Sequence, residues 1–134
     1  MNINEALINL AAQTIILVII LVSMRFRMKS KYKVHVITIA VAVILSLVIA
    51  SFGSLNFLNS SYLQTITNPT TTLVAWVSHE FFGIASQVSG IILLALLLMD
   101  KAIAHRSDLI AKVTTVLWVV AYIAGTAFFA VLHL

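Results

Sequence analysis

The chain of 134 residues contains no cysteine. Missing thiols exclude disulfides, thiolate zinc sites, iron–sulfur clusters and covalently attached c-type haem, because each of these needs cysteine sulfur. The sequence also lacks the Gly-x-Ser-x-Gly, His-Glu-x-x-His and phosphate-loop motifs of common hydrolases and nucleotide-binding proteins. Any metal centre must therefore use histidine, methionine or oxygen ligands, and we do not expect an enzyme of soluble chemistry.

Charged residues are also scarce. They make up 9% of the chain while 62% is hydrophobic, and the mean hydropathy is +1.13. A chain of this size lacks the polar surface of a soluble domain, which indicates an integral membrane protein. Four apolar runs, at about 7–24, 34–52, 73–99 and 109–132, are close to the ~20 residues that a helix needs to cross a bilayer. We expect an all-α fold with one domain, residues 1–134, that forms an antiparallel bundle of four transmembrane helices.

Basic residues are confined to the connections that follow the first and third apolar runs, or to their borders. They are Arg25, Arg27, Lys29, Lys31, Lys33, Lys101, Arg106 and Lys112. By the positive-inside rule these connections face the cytoplasm, so both termini and the connection from Gly53 to Thr72 face outward. We expect a multi-pass plasma-membrane protein whose basic band contacts lipid head groups and not nucleic acid. No basic segment precedes the first run, so we expect it to remain as a helix rather than be cleaved as a signal peptide.

The outward connection of about 20 residues is long for a bundle, and we expect it to cover the outer site. Asn59-Ser60-Ser61 within it is either a glycosylation sequon or a chance match in a loop rich in asparagine and serine. Thr71 or Thr72 is expected to supply the N-cap of the third helix. Ser107 or Asp108 is expected to cap the fourth.

Four histidines lie near the ends of the apolar runs, and the topology groups them in two pairs. His35 and His105 lie on the basic side, and His79 and His133 lie on the opposite side. Neutral imidazoles from two helices suit low-spin haem b or copper. We therefore expect each pair to be a candidate metal or cofactor site.

Small, polar and aromatic residues mark the stripes of the predicted helices that face protein rather than lipid. Trp118 and Tyr122 belong to an aromatic stripe that ends at His133, and we expect them to line a cofactor. Gly83 and Gly90 would let a helix or a flat macrocycle approach closely, although such small residues more often serve helix packing.

Each histidine also has a simpler interpretation. His79 could hydrogen-bond to Gln13, to Glu5 or to a helix carbonyl instead of binding a metal. His35 and His105 could be interfacial side chains, and the penultimate His133 a solvated one.

Burying the carboxyl group of Glu80 in the outer leaflet costs free energy, which suggests a function. It could accept hydrogen bonds, or carry a proton beside a metal or quinone. The simpler interpretation is a protonated or interfacial carboxyl. With Glu5 it makes the outer side acidic, as a metal cation would require. The basic inner edge would suit haem propionates, which pair with arginine and lysine.

Several short motifs resemble a known family. They are Lys33-Val34-His35, His79, His105-Arg106, Lys112-x-Thr114 and Leu117-Trp118. This pattern is similar to that of the domain-of-unknown-function four-twenty family, the YozB/CtaM-like small four-helix membrane proteins, over most of the chain from Lys29 onward.

The resemblance implies roles for His35, His79, His105 and Arg106, and it implies a link to the maturation of haem-copper terminal oxidases. The chain departs from the family pattern at Val36, which stands where a basic residue is usual, and the second helix lacks a histidine at its end. The complete ligand set therefore does not follow from the resemblance.

Three functions are compatible with these patterns. The first is a haem- or copper-binding protein that serves a respiratory oxidase, as an assembly factor or as a transmembrane electron carrier. The second is an accessory structural subunit of a larger membrane complex, with no cofactor of its own. The third, a small transporter or channel, is weaker because the four predicted helices leave little room for a path.

Overall fold

The computed structural model describes residues 3–59, 69–99 and 101–134. It has four long helices, α1 (Ile3–Met28), α2 (Tyr32–Asn59), α3 (Pro69–Leu97) and α5 (Asp108–His133), and one short helix, α4 (Lys101–Arg106). Each long helix contains a stretch that is long and apolar enough to cross a membrane. The all-α class and the four apolar spans are thus confirmed, and they indicate a helical membrane protein.

The helices extend beyond the apolar runs from which they were predicted. α2 continues through residues 53–59 and α3 begins at Pro69, so both ends of the expected outer connection are helical. This boundary prediction was wrong because hydropathy reports the extent of the apolar run, whereas backbone hydrogen bonds continue into the polar interface. Residues 60–68, which include two residues of the sequon, lie outside the described part of the chain.

One of the two predicted helix caps is wrong, and the other is confirmed in its position. Thr71 and Thr72 lie inside α3, which starts with Pro69, a residue suited to the first helical position because no N–H is needed there. Ser107 does occupy the N-cap position of α5, and its carbonyl accepts a bond from the Ala111 N–H at 3.0 Å. Its side chain makes no capping bond.

The four long helices pack as a ring. α1 contacts α2 and α5, and α3 contacts α2 and α5, with the most extensive contact between α3 and α5. An apolar core fills the middle of the bundle and is formed by Ile16, Ile20, Ile39, Ala42, Val43, Leu93, Leu97, Ala111 and Trp118. Polar clusters lie on either side of this core, one at each end of the bundle.

The basic end contains the turn between α1 and α2 and the short helix α4; the opposite end contains Ile3 and His133. The turn is closed by bonds from the Ser30 N–H to the Arg27 carbonyl and from the Lys31 N–H to the Phe26 carbonyl, both 2.9 Å. This is the Schellman pattern, and it requires a left-handed residue, here Ser30 with φ of 59°.

Candidate cofactor site

A cavity of about 170 Å³ lies between the helices in the half of the bundle at the opposite end. His79, Glu80 and Gln87 of α3 line it, together with Trp118 and His133 of α5. Two of the four histidines thus border one cavity. Trp118 also belongs to the apolar core, so its indole separates the cavity from the middle of the bundle.

The His79 imidazole is held by the neighbouring helix. Its Nδ1 lies 3.2 Å from the carbonyl oxygen of Ala121, and its ring stacks on Phe128 with centroids 6.3 Å apart. A carbonyl oxygen only accepts hydrogen bonds, so the proton of the neutral ring is on Nδ1. The other nitrogen, Nε2, then carries a lone pair, as a metal ligand requires.

Gly125 makes this position possible. A Cβ atom at Gly125 would lie 2.8 Å from Cε1 of His79, 3.0 Å from its Nδ1 and 2.9 Å from Oε1 of Gln13. The Gln13 amide is itself held by a 2.6 Å bond from Nε2 to Oδ1 of Asn9. Absence of a side chain at Gly125 therefore lets α5 pack against the imidazole.

The two glycines of α3 differ in their surroundings. A Cβ atom at Gly90 would lie 2.9 Å from Cζ3 of Trp118 and 3.0 Å from Cγ2 of Val43, so Gly90 serves packing. A Cβ atom at Gly83 would meet no atom of the described residues within 4 Å. Gly83 lies one turn from His79 and lines the cavity, so it leaves space there.

The remaining predicted residues at this end border the same cavity. His133 is partly buried with its ring centroid 5.1 Å from that of Phe129. Tyr122 joins α5 to α1 through a 2.9 Å hydrogen bond between its hydroxyl and that of Thr14. The structure therefore brings His79, His133, Trp118 and Tyr122 together around one space.

His35, at the basic end, is completely buried between α1 and α2. Its Nδ1 lies 2.7 Å from Oγ of Ser23 and 3.0 Å from the Ser23 carbonyl oxygen. Thr38 supports this contact by donating to Oγ of Ser23 at 2.6 Å. Nε2 of His35 is buried and has no hydrogen-bond partner among the described residues. The imidazole of His35 thus has the same arrangement as that of His79, with Nδ1 held and Nε2 carrying a lone pair.

His105 and Arg106 have different surroundings from His35. Both are exposed on α4, and the His105 ring packs edge-on against Tyr32, with centroids 4.3 Å apart. The predicted inner pair therefore consists of one buried and one exposed imidazole.

Arg27 is a residue whose position the sequence did not reveal. Its side chain is only 4% exposed, and its guanidinium lies 3.4 Å from Oδ1 of Asp108 and 3.1 Å from Oγ of Ser107. It also lies over the Tyr32 ring, 5.4 Å from the centroid. Lys112 forms a second, exposed ion pair with Asp108 at 3.0 Å. Arg27 thus joins α1 and α2 to the start of α5.

Within the described ranges, three or more histidine or carboxylate side chains do not come together as a ready-made metal cluster. No known protein family, curated protein or solved structure matches the chain. The fold and the site therefore define a helical membrane protein with a mostly apolar cavity in one half of its bundle, bordered by two histidines.

Proposed function

We propose that the cavity binds a redox-active metal cofactor through His79, and that the protein serves a respiratory haem-copper oxidase in its maturation or in transmembrane electron transfer. The cofactor is copper or haem b. The part of this proposal that concerns the oxidase rests on the resemblance to the four-twenty family, and the part that concerns the cofactor rests on the geometry of the cavity.

The observation that carries the proposal is the hydrogen bond from Nδ1 of His79 to the Ala121 carbonyl. Histidines that bind metals usually donate their other ring N–H to a carbonyl or carboxylate, which fixes the tautomer and the orientation of the ring. Ala121 acts in this way on a ring that lines an open space, and Gly125 lets the ring approach. His79 is therefore oriented before any ligand arrives.

Copper fits the described geometry better than haem b does. Imidazoles are good copper ligands, and His79 and His133 line the same cavity. The volume of about 170 Å³ is close to that of an engineered ~150 Å³ cavity that holds one benzene, and well below the ~300–1,000 Å³ of drug-sized sites. Haem b would therefore require the helices to move apart around Gly83, whereas a copper ion would not.

A bound copper ion would supply one-electron redox chemistry or would be the cargo passed to an oxidase. The residues of the chain hold and shield it. His79 and His133 supply nitrogen ligands, and Trp118 separates the ion from the apolar core. Glu80, which lines the same cavity, adds a carboxylate that favours a cation over an anion.

His35 supports a second site at the basic end. Its Nδ1 is bonded to Ser23, which leaves the lone pair on its buried Nε2, an atom without a hydrogen-bond partner among the described residues. The exposed His105 and Arg106 lie on the nearby helix α4, where Arg106 would suit an anionic group such as a haem propionate. A second cofactor there would bind only after the helices around the buried His35 ring move apart, so the purified chain is expected to hold one metal, at His79.

The positive-inside rule orients the protein in this proposal. The basic end faces the cytoplasm, the opposite end faces outward, and the cavity with His79 lies in the outer half of the plasma membrane. Lipid surrounds the exposed apolar faces of the helices, and the oxidase or its assembly intermediate is the protein partner.

One observation favours the alternative, an accessory subunit without a cofactor. The bonds of His79 to Ala121 and of Tyr122 to Thr14 each join two helices, which gives these side chains a structural role in the bundle. In that case the histidines satisfy their neighbours and the protein acts only by docking to a larger complex.

An absorption spectrum and a metal analysis of the full chain, purified in detergent, separate these functions. We expect about one copper per chain and no Soret band. A Soret band that shifts on reduction would establish haem b in place of copper. If neither copper nor iron binds, as isolated or after loading, the cofactor proposal fails and the accessory role is favoured.

A further inference from the structure

Gln87 has a buried acceptor that nothing in the proposed metal site explains. Its Oε1 is buried and has no hydrogen-bond partner within the described part of the chain, although the Gln87 side chain lines the cavity. The two serines that line the same cavity differ, because Ser46 and Ser86 donate to carbonyls of their own helices at 2.9 and 2.7 Å. A buried unsatisfied polar atom is costly, more so in a membrane, so Gln87 needs a donor from a ligand or from water.

The space beside Gln87 lies deeper than the histidine ligand. Gln87 is eight residues along α3 from His79, a rise of ~12 Å towards the middle of the bundle. Gly83 lies halfway between them and opens onto empty space. An ion on His79 and a ligand at Gln87 would therefore occupy different parts of the cavity.

This part of the cavity also reaches the outside of the bundle. Ile84 of α3 and Ala50 of α2 both line the cavity, and both are exposed, Ile84 to 61%. α2 and α3 are in contact over a smaller area than α3 and α5. Among the described residues, Ala50 and Ile84 therefore mark the side of the cavity nearest the lipid-facing surface, here called the lateral gap.

The size and walls of the cavity select the kind of ligand. The whole cavity has a volume of about 170 Å³, so a ligand in its inner part is no larger than about one benzene ring. Trp118, Tyr122 and Phe129 supply aromatic walls, against which a flat ring packs well. A ligand that enters through the lateral gap must also be soluble in lipid.

We propose that the inner part of the cavity binds the hydroxylated aromatic ring of a lipid-soluble quinol. The ring enters through the lateral gap, lies beside Gly83 and donates one O–H to Oε1 of Gln87, while its hydrophobic tail stays in the bilayer. The reduced form is preferred because the oxidised quinone has no O–H to donate. This binding does not depend on the metal proposed at His79.

The test uses the purified full chain in detergent and a short-chain 1,4-benzoquinol kept reduced under argon. Both tryptophans of the chain, Trp76 and Trp118, line the cavity, so quenching of their fluorescence reports binding. We expect saturable quenching by the quinol and about tenfold weaker binding of the corresponding quinone, as expected from loss of one good hydrogen bond.

Three variants locate the site. Gln87→Leu keeps most of the side-chain volume but removes the acceptor, and we expect about tenfold weaker binding. Gly83→Leu fills the open space and should abolish saturable quenching. Val88→Leu is the matched control, because Val88 is the next residue on α3 but is 51% exposed and does not line the cavity. Circular dichroism checks that each variant is helical.

If Gly83→Leu does not fold, the quinol affinity of Gln87→Leu tests the proposal alone. The proposal is overturned if Gln87→Leu binds the quinol as the wild type does, or if quinone and quinol bind equally. If quenching does not saturate in the wild type or in any variant, the quinol has only partitioned into the micelle and the cavity holds only water. That result also overturns the proposal. Copper content measured on Gln87→Leu should be unchanged, so failure of the metal proposal would be seen separately.

Discussion

The imidazole of His79 packs directly on Gly125, so closely that a Cβ atom there would lie 2.8 Å from Cε1 of the ring. This contact places the ring within hydrogen-bonding distance of Ala121, one turn earlier on α5. The orientation of the best candidate ligand thus depends on a missing side chain on another helix.

Gly125→Ala should displace His79 and break its bond to Ala121. We expect the free energy of unfolding to fall by about 1–2 kcal/mol, since overpacking outweighs the gain in helix propensity. We also expect weaker copper binding, measured by competition with a chromophoric copper(I) chelator. Gly83→Ala is the matched control, because its Cβ meets no described atom within 4 Å. If Gly125→Ala binds copper as Gly83→Ala does, this packing does not orient the ligand.

Gly90→Ala should disturb the indole that closes the cavity. Its Cβ would lie 2.9 Å from Cζ3 of Trp118 and 3.0 Å from Val43, so the indole must move. We expect a shift in tryptophan emission and a loss of about 1–2 kcal/mol in stability. An unchanged emission spectrum would show that the contact between Gly90 and Trp118 is looser than described.

Arg27→Leu should destabilise the basic end. The buried guanidinium contacts Ser107, Asp108 and Tyr32, so its removal leaves a buried hydroxyl without this donor. We expect a loss of about 2 kcal/mol in detergent unfolding experiments. Arg25→Leu removes an exposed charge from the same helix and should change stability by less than about 0.5 kcal/mol. Equal effects of the two substitutions would contradict this role for Arg27.

Ser30→Gly should stabilise the turn between α1 and α2. Ser30 has a positive φ of 59°, a conformation that costs an L-residue roughly 1–2 kcal/mol and glycine almost nothing. We expect a gain of about 1 kcal/mol, seen as a higher Tm by circular dichroism. Ser51→Gly, in the exposed interior of α2, should instead lower stability. A lower Tm for Ser30→Gly would argue against the left-handed turn.

The sequence predicted the helices well because hydropathy is a local property. Four apolar runs became four long helices, with errors at their ends, where polar residues such as those at 53–59 remain helical. The short helix α4 was not predicted, because six residues are too few to show a periodic pattern.

The site was less predictable because it depends on how helices rotate against each other. The sequence singled out His79 as a candidate ligand and Gly83 and Gly90 as sites of close approach. It did not reveal that Gly125 of another helix would contact the His79 ring. Arg27 was grouped with the other basic residues near the lipid head groups, since nothing local distinguishes it. Its contact with Asp108, 81 positions away, appears only in the folded chain.

The most direct test of the central claim is the copper(I) stoichiometry of the full chain and of His79→Ala, measured side by side after loading and removal of free metal. The account predicts about one tightly bound copper per wild-type chain and none at this site in His79→Ala. His105→Ala, which alters an exposed imidazole at the other end, should keep the wild-type value at this site. If His79→Ala binds copper as tightly as the wild type, the cavity is not the metal site and the central claim is wrong.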